Sequence, residues 1–131
     1  MKTLQEILTD IAPYVIVTGS YAEGTQTMWS DIDFYVLEVP EAERDRQAEE
    51  EGIDWAETDD TYVHMLIQYF EDLGYDWDSQ YIQSFAIDEI YPPLEFSAYY
   101  RPDLNNVFEI EIDGVTLRAA KSLYKRNKPK Y

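Results

Sequence analysis

Asp31 and Asp33 stand one residue apart in "SDIDFYV", where an apolar run begins, and Gly19-Ser20 lies just upstream in "TGSYAEG". If the run is a strand, side-chain alternation puts both carboxylates on one face and Ile32 and Phe34 on the other. Two carboxylates that close repel each other unless something cationic lies between them. Hard divalent cations take oxygen ligands in such an arrangement. Gly19 lets the backbone turn tightly, and Ser20 brings a hydroxyl and an N–H to a helix start, a combination suited to an anion. Together these parts describe a site for a metal-bound phosphate.

The flanking elements must hold those side chains in place. Thr3 and Glu6 make a capping box ahead of Leu4, Ile7, Leu8 and Ile11, an apolar helical stripe that Pro13 ends. Residues 14–18, "YVIVT", read as a short buried strand, and 32–39 as a second. Pro40 opens a very polar helix or loop, with Gly52 as its stop. Asp59 or Asp60 can cap a helix carrying Val63, Leu66, Ile67, Phe70 and Leu73, closed by Gly74. Residues 80–87 and 93–100 read as strands, and 107–120 as a hairpin around Asp113-Gly114. Since hairpins join the late strands, this order predicts an α+β fold: a mixed or antiparallel sheet with helices packed on one face. The length fits one domain over residues 1–131, with a basic tail over 121–131.

Charge narrows the partners. There are 27 acids against 10 bases, a formal net charge of -17. All the acids lie at or before Asp113, whereas six of the 10 bases lie from Arg118 onward. Such a field repels nucleic acid and anionic membranes and attracts basic partners. With no cysteine, disulfides and thiolate metal sites are excluded. The N-terminus lacks the apolar core of a signal peptide, and no apolar run approaches the roughly 20 residues of a membrane span. The expected location is the cytoplasm.

Gly19-Ser20, Gly24, Ser30-Asp31 and Asp33, at this spacing between two apolar strands, resemble the signature of the DNA polymerase β-like nucleotidyltransferase superfamily. The minimal nucleotidyltransferases are the nearest in size. The resemblance implies that Asp31 and Asp33 hold divalent magnesium or manganese, and that Gly19 and Ser20 hold the terminal phosphates of a nucleoside triphosphate. It also implies a third catalytic, metal-binding carboxylate on a neighbouring strand. The candidates are Glu95 in "PLEFS" and Glu109 or Glu111 in "FEIEI". Glu95 is preferred because it stands alone among apolar neighbours, while Glu109, Glu111 and Asp113 share what reads as a solvated hairpin face. His64 is the only histidine and falls on a polar helix face; were the metal zinc, it would be the first ligand to test.

One departure from the family stands out. A triphosphate carries about four negative charges, and Lys and Arg normally meet part of them. The segment "YAEGTQTMWS" has no base, and Glu23 adds an acid. Lys121 or Lys125 could serve if the tail folds over the site. Two functions follow. One is an active metal-dependent nucleotidyltransferase moving a nucleotidyl group to a protein, small-molecule or RNA acceptor. The other is an acidic, metal-binding protein of the same fold that occupies the basic nucleic-acid groove of a partner and inhibits it. In composition the chain resembles small acidic phage inhibitors of the anti-restriction and anti-CRISPR type. That likeness implies the host cytoplasm and a basic nucleic-acid-processing partner such as a CRISPR effector, with no direct contact to nucleic acid or membrane. Glu49, Glu50, Glu51, Asp54 and Glu57, in the densest acidic stretch, are the expected contacts. The missing phosphate grip favours the binding function. Tyr21 and Trp29 flank the Gly-Ser segment and can line a nucleotide pocket, and Tyr91, Tyr99 and Tyr100 can mark a contact patch.

Overall fold

The computed structural model describes residues 2–51, 61–79, 83–98 and 101–123. Helix α1 (Leu4–Ile11) leads through a single 3-10 turn (Ala12–Tyr14) into strand β1 (Val15–Thr18) and the short helix α2 (Gly19–Glu23). Strand β2 (Ile32–Val36), helices α3 (Glu41–Glu51) and α4 (Val63–Asp72), and strands β3 (Ser84–Ile87), β4 (Leu94–Ser97), β5 (Phe108–Ile112) and β6 (Val115–Ala119) follow.

The strands form one six-stranded sheet in the order β3-β4-β2-β1-β6-β5. At its centre β1 runs antiparallel to β2, while β2 pairs with β4 and β1 with β6 in parallel. Antiparallel hairpins, β3–β4 and β5–β6, close the two edges. The sheet is therefore mixed, and the fold is α+β.

Alternation along the strands decides what each face meets. Val15, Val17, Ile32, Phe34, Val36 and Phe96 join Ile7, Leu8 and Ile11 of α1 and Val63, Leu66 and Phe70 of α4 in the main core. The rings of Phe34 and Phe85 stack on that of Phe96 at 5.0 and 4.6 Å. Phe70, 0% exposed, docks α4 on this aromatic cluster. Truncating it to Ala would cost about 3–5 kcal/mol. Ile16, Tyr35 and Ala120 form a smaller cluster on the opposite face. Asp31 and Asp33, offset by one from Ile32 and Phe34, share that second face, away from α1 and α4.

The Thr3 capping box forms as the sequence requires: Thr3 Oγ1 accepts from the Glu6 N–H, and the Thr3 N–H donates to Glu6. Several strand ends fall short of their apolar runs. Strand β1 starts at Val15 because the turn through Pro13 holds Tyr14 back. Strand β2 stops at Val36, although Val39 beyond it is buried. The segment after Pro40 is a helix over its whole described length. Gly52, Asp59, Asp60, residues 80–82 and 99–100, and the tail from 124 lie outside the described residues. Among the described residues no helix is long and apolar enough to cross a membrane.

Candidate active site

The turn from β1 to α2 is built around Asp33. Thr18 pairs with Asp33 across the antiparallel β1–β2 ladder, so the next residue leaves the sheet directly over that carboxylate. That residue is Gly19, in the left-handed region at φ 67°. A Cβ on Gly19 would stand 2.3 Å from Asp33 Oδ2 and 3.1 Å from its Cγ. Only glycine satisfies both the dihedral and the space. Ser20 follows half-buried in the first turn of α2, and Gly24 at φ 74° ends that helix.

The loop from α2 to β2 is tied down before it delivers Asp31. The Thr27 N–H donates to Ser30 Oγ at 2.9 Å, the Ser30 N–H to the Thr27 carbonyl at 3.1 Å, and the Trp29 N–H to Thr27 Oγ1 at 3.2 Å. The Tyr91 hydroxyl, in the β3–β4 loop, donates to the Met28 carbonyl.

The third carboxylate comes from β4. The parallel β2–β4 register sets Glu95 directly beside Asp33, and Ile32 beside Leu94. Glu95 thus shares the face of Asp33, while Phe96 turns into the core. Partial loss of water pushes the Asp31 carboxyl above its ordinary value, reinforced by hydrogen bonding to Glu95 and by its charge. Glu95 is also raised, by partial loss of water and then by Asp33; the nearby Asp88 adds to it, while hydrogen bonding to Asp31 offsets part. Asp88, after β3, is raised by lost hydration, by its neighbour Asp78 and by the charge of Asp31. The Tyr21 phenol is raised by burial, then by Tyr91 and Asp31 nearby. Carboxyls that resist ionisation as a group suit a hard cation, which relieves their repulsion through oxygen ligands.

Glu95 is hydrogen-bonded to both Asp33 and Asp31. Among the described residues no three acidic or histidine side chains are already arranged as a metal cage. The donor chemistry therefore fits magnesium or manganese, with side-chain rotation needed to admit the ion. His64 is exposed on α4 and belongs to no such group among the described residues. Glu109 and Glu111 lie on β5 at the far edge of the sheet, where Glu109 pairs across the hairpin with Arg118.

Several cations are committed elsewhere. Lys2 bonds Asp10, Arg46 bonds Glu50, Arg101 bonds Glu38, and Arg118 donates to the Ala12 and Pro13 carbonyls. Lys121 is exposed just past β6. Because Val17 pairs with Ala119 in parallel and the Ala120 N–H donates to the Val17 carbonyl, its backbone sits at the sheet end where Gly19 leaves β1. Glu49 and Glu50 are exposed on α3, Glu51 ends that helix, and Asp54 and Glu57 lie outside the described residues.

Two features escaped sequence reasoning. Asp88 is not among the expected site residues, and Tyr91 is expected in a contact patch rather than as a tie between two loops. Neither role carried a signal in the sequence, because each residue reaches these neighbours only through the β3–β4 hairpin and the parallel β2–β4 register.

A family model for the nucleotidyltransferase domain matches residues 2–121. No curated protein and no solved structure matches the chain.

Proposed function

Because this chain belongs to the nucleotidyltransferase domain family, we propose that it transfers a nucleotidyl group from a nucleoside triphosphate to a hydroxyl acceptor. Asp31, Asp33 and Glu95 hold divalent magnesium or manganese. The observation that carries this reading is the β2–β4 register, which sets Glu95 beside Asp33 with Asp31 in contact. An acidic decoy needs negative surface, but has no use for three mutually repelling carboxyls beneath a glycine shaped to one of them.

In the reaction, the acceptor hydroxyl oxygen bonds to the α-phosphorus as the bond to the α–β bridging oxygen breaks. Pyrophosphate leaves, and a site carboxylate takes the hydroxyl proton. The divalent ion supplies Lewis-acid neutralisation of the phosphate oxygens. Gly19 leaves room for the Asp33 carboxylate against the turn, and Ser20 offers its hydroxyl to the terminal phosphates. Lys121 is the described cation best situated to meet the leaving pyrophosphate.

The test is incubation with each of four labelled nucleoside triphosphates, magnesium or manganese, and host extract. The expected result is label transfer that disappears in Asp31→Ala, Asp33→Ala and Glu95→Ala. If the wild-type protein transfers no label from any of them, the reading falls.

The binding function retains one observation in its favour. Helix α3 has no buried side chain among its described residues, and Glu49 and Glu50 face solvent. A protein acting through that face would capture a basic nucleic-acid-processing partner in a salt-sensitive way. Replacing Glu49, Glu50 and Glu51 by Lys should then release the partner; unchanged capture would dismiss it.

A further inference from the structure

Trp29, Met28 and Tyr91 are 79%, 72% and 67% exposed. Large apolar side chains grouped in this way mark a contact site more often than chance. They do not sit on a slack loop. The turn from Thr27 to Ser30 is closed by three hydrogen bonds, and the Tyr91 hydroxyl fastens it to the β3–β4 loop through the Met28 carbonyl. The two loops that meet here run directly into the strands carrying the carboxylates. Trp29 lies two residues before Asp31, and Tyr91 four before Glu95. Two residues of chain span at most about 7 Å. The Trp29 backbone is therefore tethered within about 7 Å of Asp31, with its side chain left in solvent.

We propose that Trp29, braced by Tyr91, is the platform on which the base of the nucleoside triphosphate stacks. This deepens, and rests on, the nucleotidyl-transfer reading of the carboxylates. The occupant follows from the chain: an exposed aromatic residue tethered two positions from a site carboxylate matches the two unlike ends of a nucleotide. A flat indole stacks on any base, so the platform favours large rings over particular ones, and purine triphosphates bind more tightly than pyrimidine triphosphates.

Tripolyphosphate separates this inference from its premise, since it carries the phosphates without the base. Titrations with manganese should give about tenfold weaker ATP binding in Trp29→Ala and unchanged tripolyphosphate binding. Trp29 is exposed, so the variant keeps its fold. Tyr91→Phe, which removes the bond to Met28, should weaken ATP binding by a smaller factor. ATP should quench an indole signal that is absent from Trp29→Phe. If ATP binds no tighter than tripolyphosphate, or if Trp29→Ala binds ATP like the wild type, the platform is refuted while the phosphate site stands. If wild-type protein binds neither ligand, or Asp31→Ala binds tripolyphosphate as the wild type does, the premise fails instead. Loss of transfer to the acceptor in Trp29→Ala with ATP affinity unchanged would assign the patch to the acceptor and overturn the proposal.

Discussion

Gly19 is shaped to Asp33: the hydrogen that stands where other residues carry Cβ points at Asp33 Oδ2, and a methyl there would sit 2.3 Å from that oxygen. The antiparallel pairing of Thr18 with Asp33 produces this contact, so it is a property of the sheet register rather than of a loop.

Gly19→Ala should therefore do two things at once. It forces a side chain into the left-handed region, at a cost of about 1–3 kcal/mol. It also displaces the Asp33 carboxylate, so manganese affinity should fall at least tenfold. Calorimetric titration and a thermal melt on one sample check both. Gly24→Ala shares the backbone strain but meets no atom within 4 Å. It should lose stability while keeping its manganese affinity.

Glu95→Gln should stabilise the protein in chelator at neutral pH. Glu95 and Asp31 hold protons more tightly when folded than in the unfolded chain. Their contribution is fully present below the ordinary values of 3.8 and 4.5 and is lost as pH rises through the raised folded values. Removing one charge relieves that loss. Manganese reverses the order: at 100 times its dissociation constant it adds about 2.7 kcal/mol to the wild type, and the variant forgoes much of this. Melting curves with chelator and with manganese give the comparison.

Alkaline unfolding should report Tyr62. Burial, with a 2.9 Å bond from its hydroxyl to Glu43, pushes the phenol from 10.0 up to about 12. Tyr69, bonded to Asp10, is raised further still. Unfolded tyrosines ionise first, so stability should decline as pH rises from 10.0 towards 12, and Tyr62→Phe should flatten part of that decline. Denaturant melts across this range, alongside a tyrosinate absorbance titration, measure it.

Lys121→Ala should weaken tripolyphosphate binding about threefold to tenfold, given about 1 kcal/mol for one exposed charge pair. The salt dependence should shrink with it, manganese affinity should hold, and Lys121→Arg should keep most of the binding. Equal binding in all three proteins would leave the polyphosphate without this cation.

The paired acids and Gly19 were readable from sequence because their geometry is local: strand alternation sets Asp31 with Asp33, and a tight turn asks for glycine. The candidates for a third carboxylate could be ranked by their apolar surroundings. The parallel β2–β4 register could not, since it depends on how α3 and α4 carry the chain back across the sheet. Strand ends were read too long for a physical reason. Val39 is 3% exposed yet lies outside β2, so apolar spacing tracked burial rather than ladder pairing. The bond from Tyr91 to the Met28 carbonyl left no trace, because a main-chain acceptor imposes nothing on residue identity.

Strand β2 is enclosed, with β1 on one flank and β4 on the other. Amide protons around Asp33 should consequently exchange with solvent only when the entire sheet comes apart, while those on the edge strands β3 and β5 open more readily. Whatever backbone rearrangement accompanies ligand entry thus belongs to the rim, while the strand beneath Asp33 stays put and only the acid side chains turn.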